Sequence, residues 1–271
     1  MSAPLETWVE GVGAWSRGLV DWTAWRALLR GEGHVDETAP AKPRPGCLAA
    51  GERRRVSVHV LAAVEVAGQA VAMGGRDGSD LPCIFASANG DTGIMDYICA
   101  TLADTPQHLS PTRFHNSVHN AAAGYWTIAS DNHAASQAVT AGATTFAAGL
   151  LEAAVQATVE DHPILLVVHD DPGSGPLREV MAVEQPFACA LLLSPHAAGD
   201  NAVARLRVEA DTAPADTGMP RHPLATALAN GNPAARGLAL LEALATDAPR
   251  RVSLTAAPRM GLTMDIQPAS R

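Results

Sequence analysis

The chain has 271 residues, 47% of them apolar and 17% charged, which is enough to bury a core in one domain or a tight pair and too apolar for a disordered tail. Its 19 basic and 28 acidic residues leave a net charge of −9, and no basic run exceeds Arg53-Arg54-Arg55; a grip on a phosphate backbone, and with it a nucleic-acid partner, is therefore not expected. Lys42, the only lysine, stands in the proline-rich run APAKPRP, where neither a P-loop nor a Schiff-base lysine fits.

In chain order, residues 8–13 (WVEGVG) predict a first strand stopped by glycines. Residues 21–30 (DWTAWRALLR) predict a helix with Trp22, Trp25 and Leu29 on one face. After a glycine-bounded loop, residues 53–73 carry a helical pattern, 74–78 (GGRDG) form a turn, and 81–87 (LPCIFAS) read as a compact buried strand. Helices are expected over 91–102 and 114–129, separated by a proline-punctuated loop over 105–112. A short strand over 137–141 and an alanine-rich helix over 143–159 follow, then two fully buried strands, 163–169 (PILLVVH) and 187–194 (FACALLLS). Beyond Ser194 the pattern thins to a strand over 203–210, a polar loop rich in Pro and Asp, a helix over 233–245, and closing strands around 252–255 and 262–266. Strands alternating with helices of this length imply an α/β fold whose sheet is covered on both faces. Residues 1–195 form its complete first half, and 196–271 a shorter half that completes the same domain.

Cys47, Cys83, Cys99 and Cys189 lack CxxC spacing and stand mostly in apolar surroundings, so reduced thiols rather than a zinc site or disulfide framework are expected. The N-terminus has no basic segment leading into an apolar one, and the longest apolar run, 60–73, contains Glu65. A cytoplasmic protein with no membrane partner is expected. The run GVGAWSRG at 11–18 approaches a dinucleotide fingerprint, but its third glycine is displaced and no acid-ended second strand follows; no cofactor is expected. His115 and His119, four apart on the predicted helix, have the spacing of metal ligands, with Asp131 and His133 nearby. No Glu follows His115 as a hydrolytic zinc helix requires, so satisfied histidines and no metal are expected. His169-Asp170-Asp171 ends a buried strand, where polar residues ordinarily surface to begin a loop. No GxSxG elbow is present.

The segment SPTRFHNSVHNAAAGYWTI at 110–128, followed by TAGATT at 140–145, resembles the β-ketoacyl synthase family of the thiolase-like fold. There a loop and helix with the pattern SP, F, N, AG and TI precede a short strand ending in a cysteine at the N-terminus of a long buried helix. The opening VEGVGAWSRG and the run LPCIFASANGDTG resemble that family's first strand and second strand with its loop, and the likeness spans roughly residues 5–195. It implies a thiolase-like layered α-β-α-β-α fold with an abbreviated C-terminal half.

In that family a thiolate activated by the helix dipole accepts the acyl chain. By resemblance Gly142 stands in its place, to within one residue of register, and Ala141 and Ala143 offer no alternative. The family's two histidines and lysine from the C-terminal half also have no counterparts, since no histidine follows His222 and no lysine follows Lys42. A ketosynthase front half without its chemistry resembles a chain-length factor of the aryl polyene and type II polyketide kind. That resemblance implies a heterodimer with a cysteine-bearing ketosynthase, contact with an acyl carrier protein through the complex, and no catalytic residue of its own. It further implies that Thr112, Phe114, His115 and Val118 lie at the tunnel and interface, and that Ser136, Ala138 and Thr140 lie on an interface strand. Phe114 is the large rigid side chain of its stretch and is either a tunnel gate or simply core. Two other readings stay open: an acyl-transfer or thioester-hydrolysing enzyme with Thr140 or Thr144 as nucleophile, although no base is visible beside either, and a structural homodimeric scaffold.

Overall fold

The computed structural model describes residues 4–181, 183–197, 202–211 and 218–269. The first strand, β1 (Leu5–Ser16), is longer than the glycines led us to expect. Gly11 and Gly13 do not end it. They make room for the helix packed across it: a Cβ at Gly11 would stand 2.0 Å from the carbonyl oxygen of Ala70, and one at Gly13 2.1 Å from that of Val66. The helix is α3 (Val58–Gly74), capped by the Ser57 hydroxyl and closed by Gly75 in the left-handed conformation. It starts later than the predicted 53, because Arg53 closes the separate short helix α2 (Ala50–Arg53). Before both lies α1 (Trp22–Leu29), whose first turn is capped by Asp21 Oδ1 accepting from the Ala24 amide at 2.8 Å and which buries Trp22, Trp25, Leu28 and Leu29.

The remaining strands of the first half are β2 (Cys83–Ala86), β3 (Ser136–Val139), β4 (Ile164–Asp170) and β5 (Phe187–Ser194). With β1 they lie in the order β3-β2-β4-β5-β1, with β2 parallel to both β3 and β4 and β5 antiparallel to both neighbours. β4 and β5 are buried along their whole length. Alternate side chains supply two separate cores: Leu166, Val168, Leu191 and Leu193 face one, and Leu165, Val167, Ala190 and Leu192 the other. α3 and α6 (Ala121–Ala129) cover the second core's face, while α1 and the long α7 (Thr145–Val159) cover the first.

After β5 the chain forms β6 (Ala204–Asp211), α9 (Pro223–Gly231), α10 (Leu238–Ala245), β7 (Arg250–Ala257) and β8 (Met260–Pro268). β6 pairs antiparallel with the start of β1 and extends the sheet in the order β6-β8-β7. α7 packs on β4 and β2 at one side and on β7 at the other, so α7 and α10 form a helical layer between the two parts of the sheet. Two corrections arise here. The predicted helix over 233–245 begins with a tight 3-10 turn, Ala234–Gly237, before α10. α9 occupies a stretch expected to be loop, because Pro223 sits in the first turn of the helix, where proline is tolerated; residues 212–217 of that expected loop lie outside the described residues.

The other helices are α4 (Thr92–Asp104), α5 (Pro111–His115) and the short α8 (Leu177–Val180). The predicted single helix over 114–129 is two helices, α5 and α6, interrupted at 116–120. Asn116 explains the break. Buried there, it accepts from the Tyr125 hydroxyl at 3.0 Å and donates to the Arg55 carbonyl at 3.5 Å, and Ser117 bonds back to the Phe114 carbonyl at 2.8 Å. Such short polar side chains compete with helical continuation. His115 and His119 therefore do not share a helical face.

Candidate functional site

The parallel strands β3, β2 and β4 all end on one side of the sheet, the side on which α/β folds build their sites. Four features meet there: the turn between β3 and α7, the loop after β2, the start of α4, and the end of β4.

The β3–α7 turn is a sharp elbow. Gly142 takes φ +55, a left-handed conformation that glycine adopts without penalty, and a Cβ placed on it would meet nothing within 4 Å. The position projects into open space at the N-terminus of a 15-residue helix and carries no side chain. Its neighbours hold it in shape. Thr145, fully buried, accepts from the Ala141 amide at 2.9 Å and donates to the Gly142 carbonyl at 2.8 Å. Thr144 donates to the Ala141 carbonyl at 2.9 Å, and Thr140 to the Ala88 carbonyl at 3.0 Å. The two candidate hydroxyl nucleophiles thus spend their protons on backbone carbonyls. A cleft of about 250 Å³ opens beside the elbow, lined by Ala143, Thr144, Ala147, Arg236, Leu254 and Thr255.

The loop after β2 is tied to β4 through Asp170. Its Oδ1 accepts from the Ser87 hydroxyl at 2.8 Å and the Ala88 amide at 2.9 Å, while Asn232 donates to its backbone carbonyl at 3.1 Å. Burial, set against these hydrogen bonds, raises the Asp170 pKa. His119 Nε2 lies 3.2 Å from the Ser87 carbonyl. His169 and Asp170 are both 2% exposed, so the first two residues of the HDD run do not surface as expected. Asp170 Oδ1 is held by Ser87 and Asp171 lies against His59, while His169 Nδ1 and Asp170 Oδ2 are buried without a hydrogen-bond partner. Sequence reasoning noted His119, Asp170 and Asp171 separately and missed that they gather with Ser87 and His59. The only signals of this group were three polar residues closing an apolar strand and one histidine in the first turn of a mostly apolar helix.

Of the residues singled out from sequence, Thr112, Phe114 and His115 lie on α5, Val118 in the turn after it, and Ser136 and Ala138 on β3. α5 packs on α4, whereas β3 packs on β2 and α6, so the two sets occupy different elements. Phe114 is 61% exposed and Val118 53% exposed, which removes the core reading of Phe114. β3 is the edge strand of the sheet, exposed over Ser136, Gln137 and Ala138. All four cysteines are free; contrary to the apolar surroundings expected, Cys47 and Cys99 are exposed. Burial pushes the Cys83 thiol up to about 12 and raises that of Cys189 further, and neither lies on the elbow. Among the described residues no helix is long and apolar enough to cross a membrane.

The family described as beta-ketoacyl synthase, N-terminal domain, matches residues 22–255. Curated proteins give no match. Among solved structures, a ketosynthase (ApeO) in complex with its chain length factor (ApeC) from Xenorhabdus doucetiae matches with TM-score 0.71 and 22% identity, covering 96% of this chain and 99% of that one. The ishigamide ketosynthase/chain length factor matches with TM-score 0.69 and 13% identity, over 97% and 99% of the two chains. A type II acyl-carrier protein complex with its hexaketide-bound ketosynthase, AntDE:AntF, matches with TM-score 0.73 and 12% identity, over 98% and 100%. At these identities the likeness shows the fold, which is the thiolase-like ketosynthase fold.

Proposed function

Because this chain belongs to the beta-ketoacyl synthase N-terminal domain family, we propose that it is a non-catalytic, chain-length-factor subunit that pairs with a cysteine-bearing ketosynthase and shapes its acyl tunnel in polyene or fatty-acid-like biosynthesis. One observation carries the reading: the elbow keeps its left-handed turn and its place on the α7 N-terminus, and the residue there is Gly142. Acyl transfer requires a nucleophile at that point. The chain supplies a backbone hydrogen atom instead, and the flanking threonine hydroxyls are bonded to carbonyls.

In this reading residues 1–195 are the ketosynthase-like half and 196–271 the shortened one. The open edge of β3 supports a partner, since an unpaired strand edge is a template for pairing with another chain. So do the exposed apolar side chains of Phe114 and Val118. The acyl carrier protein reaches the assembly, a cytoplasmic heterodimer, through the ketosynthase. The test has two arms. Incubated alone with an acyl thioester, the protein shows no covalent adduct by mass spectrometry; an acylated residue between Thr140 and Thr145 overturns the reading. Co-expressed with a ketosynthase encoded beside it, the protein is recovered as a heterodimer; a well-behaved monomer with and without that partner counts against it.

A further inference from the structure

The most unusual side-chain group outside the elbow lies where α3, β4 and the start of α4 meet. His59 of α3 and His169 of β4 are 4% and 2% exposed, and their rings lie 4.2 Å apart at 53°. Asp171 Oδ1 stands 3.1 Å from His59 Nδ1. Phe85 of β2 closes the other side of His169, its ring centroid 6.2 Å away. His169 Nδ1 and Asp170 Oδ2 are buried with no hydrogen-bond partner. The charged groups facing the pair are Asp171 and Asp170 from the end of β4, Asp91 from the α4 cap, and His119 from the turn before α6.

Asp171 also begins a turn that lies on α4. Ser174 donates to Asp96 Oδ2 at 2.8 Å. A Cβ at Gly173 would stand 2.0 Å from Thr92 Oγ1, and one at Gly175 2.0 Å from Asp96 Oδ1. The turn is seated against α4, and the Asp171–His59 contact ties its start to α3.

We propose that the His59–His169 pair is a one-proton latch: carrying a single proton it holds the 171–176 turn down on α4, and taking a second proton, or losing the first, releases that turn. Two cationic rings 4.2 Å apart in a buried site repel strongly. The electrostatics agree with the geometry. Burial lowers the His59 pKa, but the hydrogen bond and charge of Asp171, with Asp91 and Asp170, outweigh it and raise the value above ordinary. Burial, then the charges of His59 and His119, drive His169 well below it.

The signs follow. His169 binds a proton more readily once released, so the closed turn loses stability as pH falls below the ordinary histidine value of about 6.5. His59 binds its proton more tightly while closed, so its contribution is lost as pH rises through its raised value. Closure is therefore strongest near the ordinary histidine value and weakens on either side of it. The latch does not depend on the subunit role proposed above and is tested on the isolated chain.

Hydrogen exchange of peptides from 171–181, corrected for the intrinsic pH dependence, measures closure. Protection is expected to be highest near pH 6.5 and about tenfold lower near pH 5, while peptides of β5 stay unchanged. In His169→Phe the acid loss disappears, and in Asp171→Asn the alkaline loss does. Equal protection of the wild type at the two pH values overturns the latch, as does an unaltered acid limb in His169→Phe. Should that variant fail to fold, ring-proton NMR titration of the wild type decides: His59 titrating above and His169 below the ordinary value supports the latch, and two ordinary titrations overturn it.

Discussion

Every residue of β4 and β5 is buried, whereas along β6 and β8 buried Leu206, Val208, Met264 and Ile266 alternate with Arg205, Arg207, Asp265 and Gln267, which stay in contact with solvent. The first pair is sandwiched between α3 and α7, whereas in the second pair β8 packs on α10 and the polar side chains face outward. The contrast shows where this chain tolerates polarity. Inside the five-strand part a charge survives only when its partner is built in, as with Glu10: fully buried at a bulge in β1, it takes both oxygens to Arg76 at 2.6 and 2.8 Å. On the outer face of β6-β8-β7, ion pairs such as Arg251–Asp265 lie in solvent.

Substitutions measure that difference, and the largest effect is expected at the buried pair. Arg76→Met strands the Glu10 carboxylate and should cost about 3–5 kcal/mol, read as a loss of denaturation midpoint or of soluble protein. Gly13→Ala comes next. Its methyl would overlap the Val66 carbonyl, and displacing α3 from β1 should cost about 1–3 kcal/mol; a stable Gly13→Ala protein would show that α3 can slide. Phe114→Ala should change the melting temperature little, by less than about 1 kcal/mol, because the ring is largely exposed. In the reconstituted heterodimer the same variant should lengthen the products if Phe114 gates the tunnel, and unchanged lengths remove it from that role. The smallest effect belongs to Asp265→Asn. Arg251 holds the Asp265 pKa below its ordinary value, so the contribution is present above the unfolded carboxylate pKa and lost as pH falls through the depressed one. Two-thirds exposure of the Arg251 side chain limits it to under about 1 kcal/mol, detectable as a flatter acid limb of the stability curve.

The sequence made the two-sided region easiest to read. Continuous apolar runs such as ILLVVH and FACALLLS have no other use in an α/β chain, and α7 announces itself by its alanines. Three things were hidden, each for a local reason. The Gly11 and Gly13 spacing imitates strand termination, when the glycines serve the approach of α3 at Ala70 and Val66. The break at Asn116 depends on Tyr125 and Arg55, which periodicity does not register. The His59–His169 pair joins residues from α3 and β4, so neither half of it looks special alone. The elbow was legible only through resemblance; nothing in TAGATT by itself reports a left-handed Gly142.

The pairing of β1 also sets a timetable for biosynthesis. Ser16 is matched with Phe187 and Trp8 with Ser194, so the first strand to leave the ribosome waits for one of the last elements of the first half. At about 5–20 residues per second that interval is on the order of ten to thirty seconds, during which an apolar strand and the bare glycine face meant for α3 have no sheet to join. Nascent chains of this protein should therefore depend on holding chaperones until β5 emerges, and a circular permutant that places β1 directly after β5 should fold with less help.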